Sequence, residues 1–221
     1  MNLPAILTFL EELQQNNSKD WMDLHRQDYI RAKNDFTDLV NFLLAQLKTL
    51  DPALHATTAA ASIFRINKND FSKKGEPPYK GHFAAGISPG GRHSAFANYV
   101  VILEPGGKSR AGGGIRRPSP AQLQRIREEI DYSPGELEAI LAEPGFKAQF
   151  GGLQGVQRKS APKGYAHTHP AIDLLKYDGY QALHFFTDQE VQQPDFAEKL
   201  LALYKQVTPL HQFLNRAQIA S

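Results

Sequence analysis

Two Pro-Gly pairs, Pro89-Gly90 and Pro105-Gly106, bracket the apolar run Tyr99-Val100-Val101-Ile102-Leu103. Proline fixes φ near −65° and glycine admits positive φ, so each pair suits the two central positions of a type II turn. Two such reversals around one apolar run specify an antiparallel meander. The expected strands are 82–88, 95–104 and 108–115, with 95–104 apolar on both faces and therefore central. Gly112-Gly113-Gly114 weaken the last of these and mark a bulge or a close approach of other atoms. Residues 59–67 read as a strand leading into the meander, with Ile63, Arg65 and Asn67 on one face and Phe64 and Ile66 on the other.

Helical periodicity surrounds this meander. Ile6, Phe9, Leu10 and Leu13 predict an amphipathic helix over 3–15. Ser18 caps a second, which carries Trp21, Tyr29, Phe36, Leu43 and Leu47 to a stop at Asp51-Pro52, with a break expected near Asn34-Asp35. Ser119-Pro120-Ala121-Gln122 is a capping box with proline at the first helical position, and Ser133-Pro134-Gly135-Glu136 repeats the pattern. Pro144-Gly145 breaks the chain before a short helix holding Phe146 and Phe150. Residues 153–159 read as a short strand, 170–176 as a short helix and 180–187 as a strand. A last helix starts at Pro194 and restarts at Thr208-Pro209. With no repeat and no long linker, the reading is a single α+β domain over residues 1–221. It has a mainly antiparallel sheet of about five or six strands, typical in size, packed by N- and C-terminal helices.

With no cysteine, disulfides, thiolate metal sites and a cysteine nucleophile are excluded. No apolar run reaches the roughly 18 residues of a membrane span, so no membrane partner is expected. Met1-Asn2-Leu3-Pro4 lacks the basic region of a signal peptide, and the expected location is cytoplasmic. The oligomeric state is not written in the sequence. The small net charge of +2 conceals a strong pattern, with twelve basic and only three acidic side chains between residues 59 and 127. Such a concentration can steer an anion, and solvated lysine-rich loops are the plainer explanation of the same pattern.

The glycine clusters match neither a dinucleotide fingerprint nor a phosphate loop, and there is no Gly-x-Ser-x-Gly elbow. His167-x-His169 has no carboxylate within a few residues and reads as structural, so no metal and no cofactor are indicated. The ligand-binding candidates are Arg65, Lys73, Lys74, Tyr79 and Lys80, joined from other acid-poor segments by Arg117, Lys159 and Lys163. Arg65 lies among apolar residues and needs a partner, either an internal carboxylate or a bound anion, because an unpaired buried charge is very costly. Its guanidinium fork suits carboxylates and phosphates. Glu104 and His82 are the candidate proton carriers. Three functions follow: a binding domain for a phosphate- or carboxylate-bearing small molecule, a hydrolase or transferase acting in the same pocket, or a protein–protein interaction module. Nucleic acid is a weaker form of the first, since Phe71 and Tyr79 are the only obvious stacking aromatics in the basic loops.

Several spaced pieces also resemble one family over nearly the whole chain. They are Phe64-Arg65-Ile66-Asn67, Pro78-Tyr79-Lys80, Glu104-Pro105-Gly106-Gly107, Gly112-Gly113-Gly114, Pro162-Lys163-Gly164-Tyr165, His169-Pro170, and Pro209-Leu210 with Phe213-Leu214-Asn215. Together they are similar to an uncharacterised bacterial and fungal family, domain of unknown function 2461. The resemblance implies a single α+β domain and no established activity, substrate or cofactor. That family commonly carries Arg-Asp-x-Arg-Phe-Ser and then a lysine ahead of Pro-Tyr-Lys. Aligned without a gap, this chain has Asn69 and Phe71 in place of the acid–arginine pair and Glu76 in place of the lysine. A slip of one residue pairs Phe71-Ser72 with the family's Phe-Ser instead.

Overall fold

The computed structural model describes residues 1–68 and 75–219. The meander lies where the Pro-Gly pairs put it, as β1 (Phe83–Ile87), β2 (Asn98–Leu103) and β3 (Ser109–Ile115). In the first turn Gly90 has φ 83° and the Gly91 amide donates to the Ser88 carbonyl at 2.8 Å, a type II geometry. In the second, the Gly106 and Gly107 amides donate to the Asp188 carboxylate at 2.8 and 3.1 Å. A later strand, β4 (Tyr180–Phe186), completes one open antiparallel sheet in the order β1-β2-β3-β4.

Four strands, not five or six, make up the sheet among the described residues. Residues 59–62 form a helical turn because Thr58 caps it, accepting from the Ala61 amide, and three alanines favour helix. Residues 63–67 are extended but joined only by isolated bridges, Ile63 to Ala85 and Asn67 to Tyr79. The two bridges differ in register by two residues, three residues (64–66) facing five (80–84), so no continuous ladder joins them. The expected strand at 153–159 likewise reduces to one bridge, Gln157 to Tyr177.

Both edges of the sheet are covered. On β1 the Phe64 amide donates to Ala84 O at 2.9 Å. On β4 one residue imitates a strand. The Gln154 amide donates to Gln181 O at 2.7 Å, its Nε2 donates to Leu183 O at 2.7 Å, and its Oε1 accepts from the Leu183 amide at 3.1 Å. Blunting an edge in this way removes a template for pairing with other chains.

The helices are α1 (Leu3–Gln15), α2 (Lys19–Leu24), α3 (Arg26–Leu50), α4 (Ala59–Ser62), α5 (Pro120–Tyr132), α6 (Pro134–Ala142), α7 (Pro144–Phe150), α8 (Ile172–Leu175), α9 (Asp188–Val191) and α10 (Phe196–Ile219). Ser18 caps α2 as expected, but the break falls at His25, and α3 runs unbroken through Asn34 and Asp35. The capping box at Ser119 and Gln122 is formed. Ser133 makes no side-chain cap on α6, while its backbone amide closes α5 by donating to Glu129 O. Helix α10 continues through Pro209.

Two compact units interleave along the chain. One comprises Met1–His93, Val100–Ala111 and Phe185–Leu201, and the other Ser94–Tyr99, Gly112–His184 and Ala202–Ser221. In the first, Phe36 stacks on Phe83 at 5.4 Å, and Phe9 lies about equally far from Trp21 and Tyr29, at 6.0 and 6.1 Å. In the second, buried Tyr99 meets Tyr204 and His211 edge-on at 5.3 and 4.2 Å. There Gly113 is required by proximity, because a Cβ on it would overlap His211 Nε2 and stand 2.7 Å from the Asn98 carbonyl oxygen.

Candidate anion-binding site

In the first unit, a cavity of about 430 Å³ is lined by three cations from three separate elements: Lys33 on α3, Arg65 on the extended segment after α4, and Arg92 just after the first Pro-Gly turn. No carboxylate of the described residues lines it. None of the three cations makes an ion pair with a described residue. Its apolar walls include Ile63, Phe64 and Phe83, and Tyr29, Thr37 and Asn67 add polar groups.

Local sequence explains how the cations are placed. Arg65 is held by its neighbours: Phe64 N bonds Ala84 O, and Lys80 N bonds Ile66 O at 2.8 Å. The Lys80 ammonium donates to the Arg65 carbonyl at 2.8 Å and lies 5.9 Å from the centroid of the Phe64 ring. Burial first, and then the charge of Arg65, push the Lys80 pKa below the ordinary lysine value. Tyr79 is buried, and its backbone is clamped from both sides by the Asn17 amide at 2.9 and 3.0 Å.

Arg92 depends on Gly91, whose φ of 87° suits glycine and whose added Cβ would stand 2.8 Å from Ala61 O. That approach lets Arg92 donate its own amide to Ala61 O at 3.1 Å and its Nη1 to Ala60 O and Ala61 O at 3.2 and 3.0 Å. Its guanidinium carbon also lies 5.9 Å from the Phe64 centroid. Arg92 and Lys33 were not among the residues singled out from sequence. The Pro-Gly-Gly-Arg order was the available signal for Arg92, whereas Lys33 is an ordinary exposed helical lysine until the fold brings it to the cavity.

Arg65 itself is exposed, not buried among apolar residues, and it pairs with no carboxylate of the described residues. The adjacent Phe64 is half-buried and Ile66 is buried, so the alternation is right and its outer face is solvent. Lys73, Lys74 and the divergent Asn69 and Phe71 lie outside the described residues. Beside them, Lys68 Nζ and Glu76 Oε2 approach to 3.8 Å.

Arg117, Lys159 and Lys163 belong to the second unit and are exposed. Arg117, with Arg116, lines a different cavity of about 450 Å³ in that unit, where Asp178 is already engaged by Arg158 at 2.6 Å and Arg127 at 3.3 Å. Lys159 and Lys163 line neither cavity.

The proton-carrier candidates form a small cluster of their own in the first unit. Glu104 Oε2 accepts from Arg110 Nη1 at 2.9 Å, and His82 Nδ1 stands 4.0 Å from the same oxygen. Burial is the largest influence on His82 and lowers its pKa; Glu104 opposes this, and Arg110 and Lys80 add to it. Of the two paired histidines, His169 has both ring nitrogens occupied, by Asp131 at 2.8 Å and the Ala171 amide at 3.1 Å. No group of three His, Asp or Glu among the described residues is arranged to hold a metal, and no helix among them is long and apolar enough to cross a membrane.

No curated protein and no solved structure matches this chain. A family model described as a conserved hypothetical protein does match, from residue 5 to residue 213. The span takes in the meander, the Lys33–Arg65–Arg92 cavity and most of α10, and the chain therefore belongs to the conserved hypothetical protein family DUF2461.

Proposed function

We propose that this protein binds an anionic small molecule in the Lys33–Arg65–Arg92 cavity of its first unit. The observation that carries this reading is the grouping of three cations around a partly apolar cavity without a lining carboxylate. Like charges held together disfavour one another, and an anion between them relieves that cost. Apolar walls strengthen the attraction by lowering the local dielectric response. No reaction is assigned, because Glu104 is occupied by Arg110.

The test is thermal unfolding of the wild type and of Arg65→Met and Arg92→Met across a panel of inorganic phosphate, pyrophosphate, citrate and sulfate. Ligand at about 100 times its Kd stabilises by about 2.7 kcal/mol, so at least one anion raises Tm by several degrees in the wild type and by much less in both variants. No shift with any anion, or equal shifts in all three proteins, overturns the reading.

A further inference from the structure

We infer that the ligand of this cavity is a phosphate monoester with a flat, largely apolar body, and not a bare oxyanion; this rests on the anion reading above. The first argument is size. About 430 Å³ is within the range of small-molecule sites, roughly 300–1,000 Å³, whereas one liquid water occupies only about 30 Å³. A single tetrahedral anion fills only a small part of that volume and leaves most of the cavity to something else. The walls say what that is: Ala60, Ile63, Phe64, Ile66 and Phe83 line it, and Phe64 is half-buried.

The second argument is the donor geometry of Arg92. Its Nη1 is spent on Ala60 O and Ala61 O, which fixes the plane of the guanidinium. The Nε–Nη2 edge remains, two parallel N–H donors without a partner among the described residues. That edge matches two oxygens of one phosphate or carboxylate. Arg65 and Lys33 supply two more positive charges, suited to the double charge of a phosphate monoester better than to the single charge of a carboxylate.

Titration calorimetry with the intact protein separates the possibilities, using inorganic phosphate, phenyl phosphate, adenosine monophosphate, benzoate and phenol. The expected result is that at least one of the two esters binds ten-fold or more tighter than inorganic phosphate and than benzoate, with phenol not detected. Phe64→Ala then lowers ester affinity by a larger factor than inorganic-phosphate affinity, bringing the two together, whatever loss both share from the ring's contact with Arg92. Ile63→Ala serves the same purpose if the first variant does not fold, and the ligand ranking on the wild type needs no variant. Inorganic phosphate binding as tightly as both esters overturns this inference and leaves the anion reading standing. Phenol or benzoate matching the esters overturns it too. Absence of binding by every anion overturns both.

Discussion

His211 makes the unfolding of this protein sensitive to mild acid. It sits on α10 at 2% exposure, pressed against Gly113 and Tyr99, and neither ring nitrogen has a hydrogen-bond partner among the described residues. Burial pushes its pKa down to about 3 from the ordinary 6.5. In the folded state the imidazole therefore stays neutral well below pH 6.5, while in the unfolded chain it takes up a proton as pH falls through that value. The unfolded state then binds more protons, so stability declines with acid, by about 1.4 kcal/mol per pH unit. The decline starts near pH 6.5 and levels off near pH 3, where it amounts to roughly 5 kcal/mol. His211→Leu removes the titratable group and keeps an apolar side chain of similar volume. Urea unfolding of both proteins at pH 7.5, 6.5 and 5.0 isolates the effect, because most carboxylates are still ionised in that window. His82, also lowered, is common to both proteins. The wild type loses about 2 kcal/mol more than the variant between pH 7.5 and 5.0, most of it below pH 6.5. Parallel pH profiles for the two proteins refute the argument.

Three further outcomes follow from the packing. Arg127, with its side chain 8% exposed, donates to Leu175 O at 2.9 Å and to Tyr177 O and Asp178 at 3.3 Å, so Arg127→Met costs about 3–5 kcal/mol; a urea midpoint shifted by less than the equivalent of about 1 kcal/mol contradicts this assignment. Arg65→Met, on an exposed residue, changes ligand-free stability by no more than about 0.5 kcal/mol, and a larger loss in calorimetry argues for an internal partner instead of a ligand. Gln154→Ala frees the Leu183 amide and carbonyl at the edge of β4, costs about 1–3 kcal/mol and raises the mass measured by light scattering at high protein concentration; a mass unchanged from wild type at all concentrations removes the edge-guarding role.

Arg65 and Arg127 show what a sequence can and cannot disclose. A buried arginine was to be expected, and Arg65 looked the part because it alternates with Phe64 and Ile66. Alternation identifies two faces without saying which is covered, and the Arg65 face is solvent. The arginine that is buried, Arg127, sits four residues after Leu123 and three before Ile130, on the apolar stripe of α5; helical spacing carried that signal. The turns at Pro89-Gly90 and Pro105-Gly106 and the cap at Ser119 were legible because their chemistry is local. The cavity was legible only in part, since Lys33 and Arg65 meet through the approach of α3 to the segment after α4, which no local pattern encodes. Residues 59–67 misled because an apolar pattern records neither the helical turn that Thr58 caps at 59–62 nor the register offset between the Ile63–Ala85 and Asn67–Tyr79 bridges.

The order of the sheet also has a consequence for synthesis. The meander is complete once Ile115 has been made, but β4, which flanks β3, is not complete until Phe186. At roughly 5–20 residues per second, β3 spends seconds as a bare edge on a nascent chain. Its sequence, Ser-Arg-Ala-Gly-Gly-Gly-Ile, is poorly suited to recruiting a stray strand, having one charge, three glycines and a single large apolar side chain. The glycines that let β3 lie close to its neighbours in the finished protein thus also keep it unattractive to wrong partners while the right one is still being translated.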